Sequence, residues 1–351
     1  MAIPIGIGSH QPHAASEVLL NRYGDCKDKA TLLKAMLKHV GIDSYYLLVN
    51  SERGSVNPEF ASVLNFNHVI LAIRRPADMN EPVFAKIKHP EMGDLLIFDP
   101  TDPLTPLGLL PDPEQSAHGL LVRGDGGELV QLPLHSASAC RLLRIGSLKL
   151  LPDGSLTGSV KEVRWGRFAA DTRSAYRRAE GLTQAKVLES FLGQSLGQFQ
   201  LKSGSFENLD GADPLTLNYA FMAPNYGKNT GPLLLLRPCV LGRKAMLLGE
   251  KKDRRYSVNL ESASAEVDTY DIELPPGYEI DELPLPVKAD YPFARYANKF
   301  EVKGNVLHYE RYRTIEKVEV PKESFDDLWD FQRLISADER GYAVLRKKPG
   351  N

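Results

Sequence analysis

The run RYGDCKDKATLLKAML at residues 22–37 constrains this chain more than any other, because it demands both a core and a reactive rim. Ala30, Leu33, Leu37 and Val40 recur at three- and four-residue steps, and Leu32 and Met36 widen the stripe. This spacing predicts an amphipathic helix, with Gly41 following as a left-handed terminator. Asp25 is a good N-cap, so Cys26 falls in the first helical turn, seven residues before Leu33 and on the stripe's own face. Unpaired backbone N–H groups and the positive end of the helix dipole meet the sulfur there, and both favour thiolate over thiol.

Two further segments bring the partners that an ionisable thiol needs. Residues 66–73 alternate and are rich in β-branched side chains, and 94–99 form a short apolar run stopped by Pro100 and the turn residues 101–103. If the two strands pair antiparallel across the 74–93 connection, His68 near the start of one lies opposite Asp99 near the end of the other. The imidazole then bonds the carboxylate on one side and faces the thiol on the other. This is the order nucleophile, base, orienter: His takes the thiol proton, and Asp fixes the tautomer and stabilises the imidazolium.

With these residues in view, the segments GIGSHQPHAASEVLLNRYGDCKDKATLLKAMLKHVGI, FNHVILAI and LLIFDPTD resemble the transglutaminase-like superfamily. The resemblance is to bacterial proteins whose transglutaminase-like core is flanked by two β-rich domains. It spans about residues 3–102, and the β-rich remainder looks like the C-terminal flanking domain. It implies an α+β fold: a papain-like core, with the Cys helix packed on an antiparallel sheet, followed by a β-rich, sandwich-like domain with helical insertions. By the same resemblance Cys26 matches the nucleophile, His68 the base and Asp99 the orienting carboxylate. Such proteins carry a β domain and the first core helices ahead of the Cys helix, whereas 25 residues precede Cys26 here, so the core is expected to be N-terminally truncated. Related full-length proteins are generally exported, which implies a periplasmic or extracytoplasmic location. Residues 1–8 lack the basic region and apolar length of a signal peptide.

Other polar residues carry weaker chemistry. Thiol enzymes of papain type use an upstream side-chain amide together with the nucleophile's own N–H, which makes Gln11 the candidate oxyanion donor. His10 and His13 flank it as HQPH, and without a nearby Cys or carboxylate to complete a metal set they read as surface loop. A zinc site from Cys26, His68 and Asp99 is disfavoured, because one thiolate is available and a helix N-terminus repels a cation. Lys27, Asp28 and Lys29 read as the solvated face of the first turn, with Asp28 also able to accept from a backbone N–H. Cys140 and Cys239 make no metal spacing with Cys26, and whether they pair is open.

A length of 351 suggests two domains, and 42% hydrophobic with 25% charged residues is ordinary globular usage. The formal charge of −2 gives no reason to expect nucleic acid. GIGSHQ lacks the third glycine of a dinucleotide loop and GxxxxGK[ST] does not occur, so no cofactor is implied. No run approaches the length of a membrane span. The domain boundary is expected at residues 132–142, giving a core of 1–138 and a β-rich domain of 139–351. Upstream of it, VRGDGGELVQL reads as a hairpin closing the core sheet. Downstream, LRIGSLKLLPDGSLTGSVKEVR reads as two strands about the PDG turn. Residues 168–199 turn helical, broken at Gly181 and restarted by Thr183 as N-cap. Strands are expected at 215–223, 267–274 and 299–314, the last a hairpin about KGN. A final helix at 322–335 would put Phe325, Leu328, Trp329 and Leu334 on one face. The stretch at 276–296 is rich in aromatics and prolines and reads as core or interdomain packing rather than recognition surface. The apolar residues at 3–7 are expected to be exposed once the truncated wall is gone.

The chemistry so assembled is cysteine acyl transfer: Cys26 attacks an amide or ester carbonyl, an acyl-enzyme forms, and water takes the acyl group, since nothing in the sequence is dedicated to an amine acceptor. Peptide or peptidoglycan-like amides of the cell envelope follow by analogy as the substrate class. The alternative from a different class is a non-catalytic interaction or scaffold module at the envelope. Oligomeric state is not encoded in any of these features.

Overall fold

The computed structural model describes residues 11–79, 83–179, 183–211, 214–244, 254–260 and 262–348; residues 3–7, His10 and Gly181 lie outside them. The chain is mixed α+β and rich in sheet, and it divides into two compact units, Met1–Ala139 and Cys140–Asn351.

In the first unit, helices α1 (Ala15–Asn21) and α2 (Cys26–His39) precede a six-stranded antiparallel sheet. Its strands are β1 (Ser44–Val49), β2 (His68–Arg74), β3 (Lys86–His89), β4 (Gly93–Phe98), β5 (His118–Arg123) and β6 (Gly126–Gln131), in the order β3-β4-β2-β1-β5-β6. Ala30, Leu33 and Leu37 of α2 pack into one core with Leu47, Val49, Ile70, Ala72, Ile97 and Leu121. Each fully buried aliphatic side chain there contributes roughly 1.5–3 kcal/mol. The stripe is narrower than its spacing suggests, because Met36 and Val40 are exposed. Ile70, Leu71, Ala72 and Ile73 are all buried, so β2 is covered on both faces and does not alternate. Helix α2 ends as expected: Gly41 takes φ 80°, Gly41 N–H donates to Lys38 C=O and Ile42 N–H to Leu37 C=O. This is the paired bonding of a Schellman cap.

In the second unit, an eight-stranded sheet runs in the spatial order Lys288–Tyr291, Ala294–Lys303, Val306–Ile315, Ser264–Glu273, Arg141–Leu150, Leu156–Arg164, Leu215–Ala223 and Gln200–Glu207. A four-stranded sheet shares its core: Leu150, Leu217, Phe221 and Tyr270 of the first meet Leu234, Leu236 and Leu345 of the second. The PDG turn joins Arg141–Leu150 to Leu156–Arg164; Gly154 sits at φ 86°, and a Cβ there would come 2.3 Å from the Gly227 carbonyl oxygen. Helices α3 (Arg167–Arg178) and α4 (Gln184–Gly193) follow, and the Thr183 side chain accepts from Lys186 N–H as the N-cap of α4. Helix α5 (Phe325–Asp338) buries Phe325, Leu328, Phe331 and Ile335. Trp329 and Leu334, expected on that face, are only partly buried, because the 100° helical step turns them to its margin. Within 276–296, Tyr278, Phe293 and Tyr296 are buried core residues. Among the described residues no helix is long and apolar enough to cross a membrane.

Candidate active site

Cys26 is the first residue of α2, and a capping box holds the turn that carries it. The Asp25 side chain accepts from Asp28 N–H, and the Asp28 side chain accepts from Asp25 N–H at 3.2 Å. Asp28 is buried rather than solvated as expected, because it also accepts from the backbone N–H of His13 at 2.8 Å and bonds the His13 ring at 3.1 Å. Lys29 alone of that trio is exposed. Helix geometry leaves the N–H groups of Cys26 and Lys27 without intrahelical acceptors.

The half-buried Cys26 thiol has the His68 ring and the Val69 N–H as its neighbouring donors. Burial works to raise its pKa, but these two donors and the charge of His68 outweigh it, and the thiol is held below its ordinary range. The other two cysteines are buried, and burial pushes Cys239 up to about 12.

His68 opens β2, paired with Val49 of β1. Its Nε2 lies 3.1 Å from Asp99 Oδ2 and 3.4 Å from Thr101 Oγ1. With Nε2 engaged there, the other ring nitrogen is the one left for the thiol. Burial would lower the His68 pKa, yet hydrogen bonds to Asp99 and Cys26 and the neighbouring carboxylate charge raise it to about 10. Asp99 is buried, and the bond to His68 together with two donors from Thr101 overcomes the desolvation and holds its carboxyl below the usual range. Those donors are Thr101 N–H at 2.8 Å and Thr101 Oγ1 at 2.7 Å, both to Asp99 Oδ1. At neutral pH the line therefore holds a protonated His68 and an ionised Asp99, with the Cys26 thiol shifted toward thiolate.

The strand argument holds in direction and differs in register. β2 and β4 pair antiparallel with Leu71 opposite Phe98, a register that, continued, sets Asp99 beside Ile70 rather than His68. Asp99 reaches the ring because Pro100 ends the strand and the Thr101 turn folds the carboxylate back. β3 fills part of the 74–93 connection and pairs with the outer edge of β4.

Gln11 is exposed in a bend ahead of α1, and among the described residues it bonds none of Cys26, His68 or Asp99. A residue that sequence reasoning missed stands closer: Glu114 Oε1 lies 3.8 Å from His68 Nε2, with its side chain 4% exposed. No local pattern singled it out, since PDPE reads as an ordinary turn. One ligand atom from each of His68, Asp99 and Glu114 falls within 4.8 Å of the others, spacing that a divalent ion could bridge. The His68 ring's hydrogen bond to Asp99 is equally the arrangement that proton transfer needs.

Comparison with known proteins adds little at the site itself. Residues 233–345 match the family DUF3858, described as a domain of unknown function with a solved structure; this segment contains none of Cys26, His68 and Asp99. No curated protein matches the chain. A crystal structure from Parabacteroides distasonis ATCC 8503, described as a "putative protease", is similar at 13% identity and a TM-score of 0.47, covering 95% of this chain. The chain spans 46% of the length of that protein.

Proposed function

We propose that this chain is a transglutaminase-like cysteine acyl-transfer enzyme on a papain-like core, hydrolysing an amide bond of a peptide. The observation that carries the reading is the His68–Asp99 hydrogen bond at 3.1 Å beside a half-buried thiol at a capped helix N-terminus. In the first step the thiolate adds to the carbonyl carbon. The developing oxyanion turns to the free N–H of Cys26, with Gln11 as the side-chain amide that could join it. As the C–N bond breaks, His68 gives its proton to the leaving amine, and Cys26 is left as a thioester. Water then adds to the thioester carbon while His68 takes its proton; the C–S bond breaks, and the acid leaves with thiolate and imidazolium restored. Asp99 stays ionised throughout and steadies the imidazolium. A cell-envelope peptide as substrate and an extracytoplasmic location rest on the motif resemblance.

A second reading, a non-catalytic interaction module, draws on the apolar face of α1 and α2, where the exposed Leu19, Met36 and Val40 line an open groove. Turnover of a panel of peptide amides and activated esters separates the two. Cys26→Ala should abolish it, and His68→Ala should leave only the residue due to binding and oxyanion contacts. Wild type that turns over no member of the panel, or Cys26→Ala that matches wild type, removes the enzyme reading in favour of the module.

A further inference from the structure

Glu114 ends a short 3-10 turn, Asp112–Glu114, that is braced from three sides. Arg53 Nε donates to Gln115 C=O at 2.8 Å, and its guanidinium also bonds Asp112 C=O. The Gln115 side chain donates to Leu110 C=O at 3.1 Å and accepts from His135 N–H at 3.2 Å. The Glu114 backbone is satisfied within the turn, its N–H donating to Pro111 C=O and its C=O accepting from Ala117 N–H. The turn therefore has no structural need for an acid at this position, yet the brace drives a carboxyl into the site. Oε1 stands 3.8 Å from His68 Nε2, while Oε2 is sealed from solvent with no protein donor among the described residues. One oxygen of the buried Glu114 carboxyl lies within 4.8 Å of one oxygen of the buried Asp99 carboxylate. Two carboxyl groups can share a hydrogen bond only if one carries the proton, and Asp99 already accepts from His68 and twice from Thr101.

We propose that Glu114 is a positioning residue: a neutral carboxylic acid whose O–H donates to the Asp99 carboxylate, holding it against His68 without placing a second negative charge on the imidazolium. The proposal rests on Cys26 and His68 acting as described above. The charged groups facing Glu114 are Asp99, His68 and Asp102, and burial followed by the Asp99 charge pushes its carboxyl well above the ordinary glutamate range. An ionised Glu114 would hold the imidazolium proton more tightly, and that proton has to pass to the leaving amine. A neutral Glu114 keeps Asp99 in line and leaves His68 a single full counter-charge on that side.

The test is the ultraviolet absorbance of the Cys26 thiolate across pH, read against Cys26→Ser, together with kcat and KM on a hydrolysed probe, for wild type, Glu114→Gln and Glu114→Leu. Gln keeps a neutral N–H donor, so the thiolate should titrate as in wild type and kcat should fall no more than about threefold. Leu removes the donor and frees Asp99; the thiolate titration should move up by about one pH unit or more, with kcat down roughly tenfold and KM unchanged. Should Glu114→Leu fail to fold, Glu114→Asp, which withdraws the carboxyl by one methylene, should shift the titration in the same direction. Glu114→Gln behaving like Glu114→Leu overturns the neutral donor, and both behaving like wild type overturn any positioning role. A wild type without thiolate at neutral pH defeats instead the reading of Cys26 on which the inference stands.

Discussion

Cys26, Cys140 and Cys239 are one side chain in three settings, and the settings decide their chemistry. Cys26 has a helix N-terminus and a charged imidazole, whereas Cys140 and Cys239 are buried, Cys239 with its thiol held up at about 12. Iodoacetamide at neutral pH should therefore alkylate Cys26 in the native chain and reach the other two only on unfolding, as peptide mapping would report. Equal native rates at all three would contradict an activated thiol. The pH dependence has a definite sign. A histidine whose pKa is raised to about 10 keeps its proton through neutrality and loses it as the pH rises through about 10, while a lowered thiol pKa extends the thiolate below the usual cysteine range. Acyl transfer should hold a plateau through neutrality and fall on an alkaline limb near pH 10; a limb near 6.5 would mean that His68 is not paired as described. Cys26, His68 and Asp99 were legible in the sequence because each stands in a patterned context: a cap, a strand start, a strand stop. Asp28 and Glu114 were not, since their burial depends on His13 and on the turn braced by Arg53, which no local pattern ties to them.

At the scale of elements, the turn that carries the thiol hangs on one buried carboxylate. Asp28→Ala would orphan the Asp25 N–H and both His13 groups, and fray the first turn of α2. Loss of a cap of this kind costs about 1–2 kcal/mol, so the melting temperature should drop and Cys26 alkylation should slow, although Asp28 makes no contact with His68 in the hydrogen-bond line. Unchanged alkylation in a destabilised Asp28→Ala would uncouple the cap from the thiol. The elements that sequence reasoning found are those with punctuation: α2 with Asp25 and Gly41, the PDG hairpin, and α4 with its Thr183 cap. The strands β1 and β3 passed unmarked. SYYLLV is a short apolar run that a buried helix could equally contain, and KIKH is an edge strand of four residues whose charges mask its pattern.

On the scale of the whole molecule, the two units carry different risks. The second unit buries an ionic network that sequence reasoning did not foresee. Arg311 is fully buried and donates to Asp268 at 2.7 Å, to Glu339 and to Gly242 C=O at 2.9 Å, while Arg144 takes the other Asp268 oxygen at 2.8 Å. The strands involved are far apart in sequence; Ser264–Glu273, for example, pairs in parallel with Arg141–Leu150. Pairing of that kind follows from the assembled sheet and from no local periodicity. Removing one partner strands buried carboxylates, so Arg311→Met should cost about 3–5 kcal/mol. Both tryptophans, Trp165 and Trp329, lie in this unit, so their fluorescence in guanidinium reads its unfolding alone. A midpoint unmoved by Arg311→Met would mean that the network is energetically idle.

The central claim is that Cys26 becomes acylated. Acid quenching of the chain shortly after mixing with a p-nitrophenyl ester, followed by intact mass and peptide mapping, tests it most directly. The account predicts one acyl group per chain, carried by the peptide containing Cys26, absent in Cys26→Ala and formed more slowly in His68→Ala. Acylation spread over surface lysines, or equal in wild type and Cys26→Ala, would contradict it.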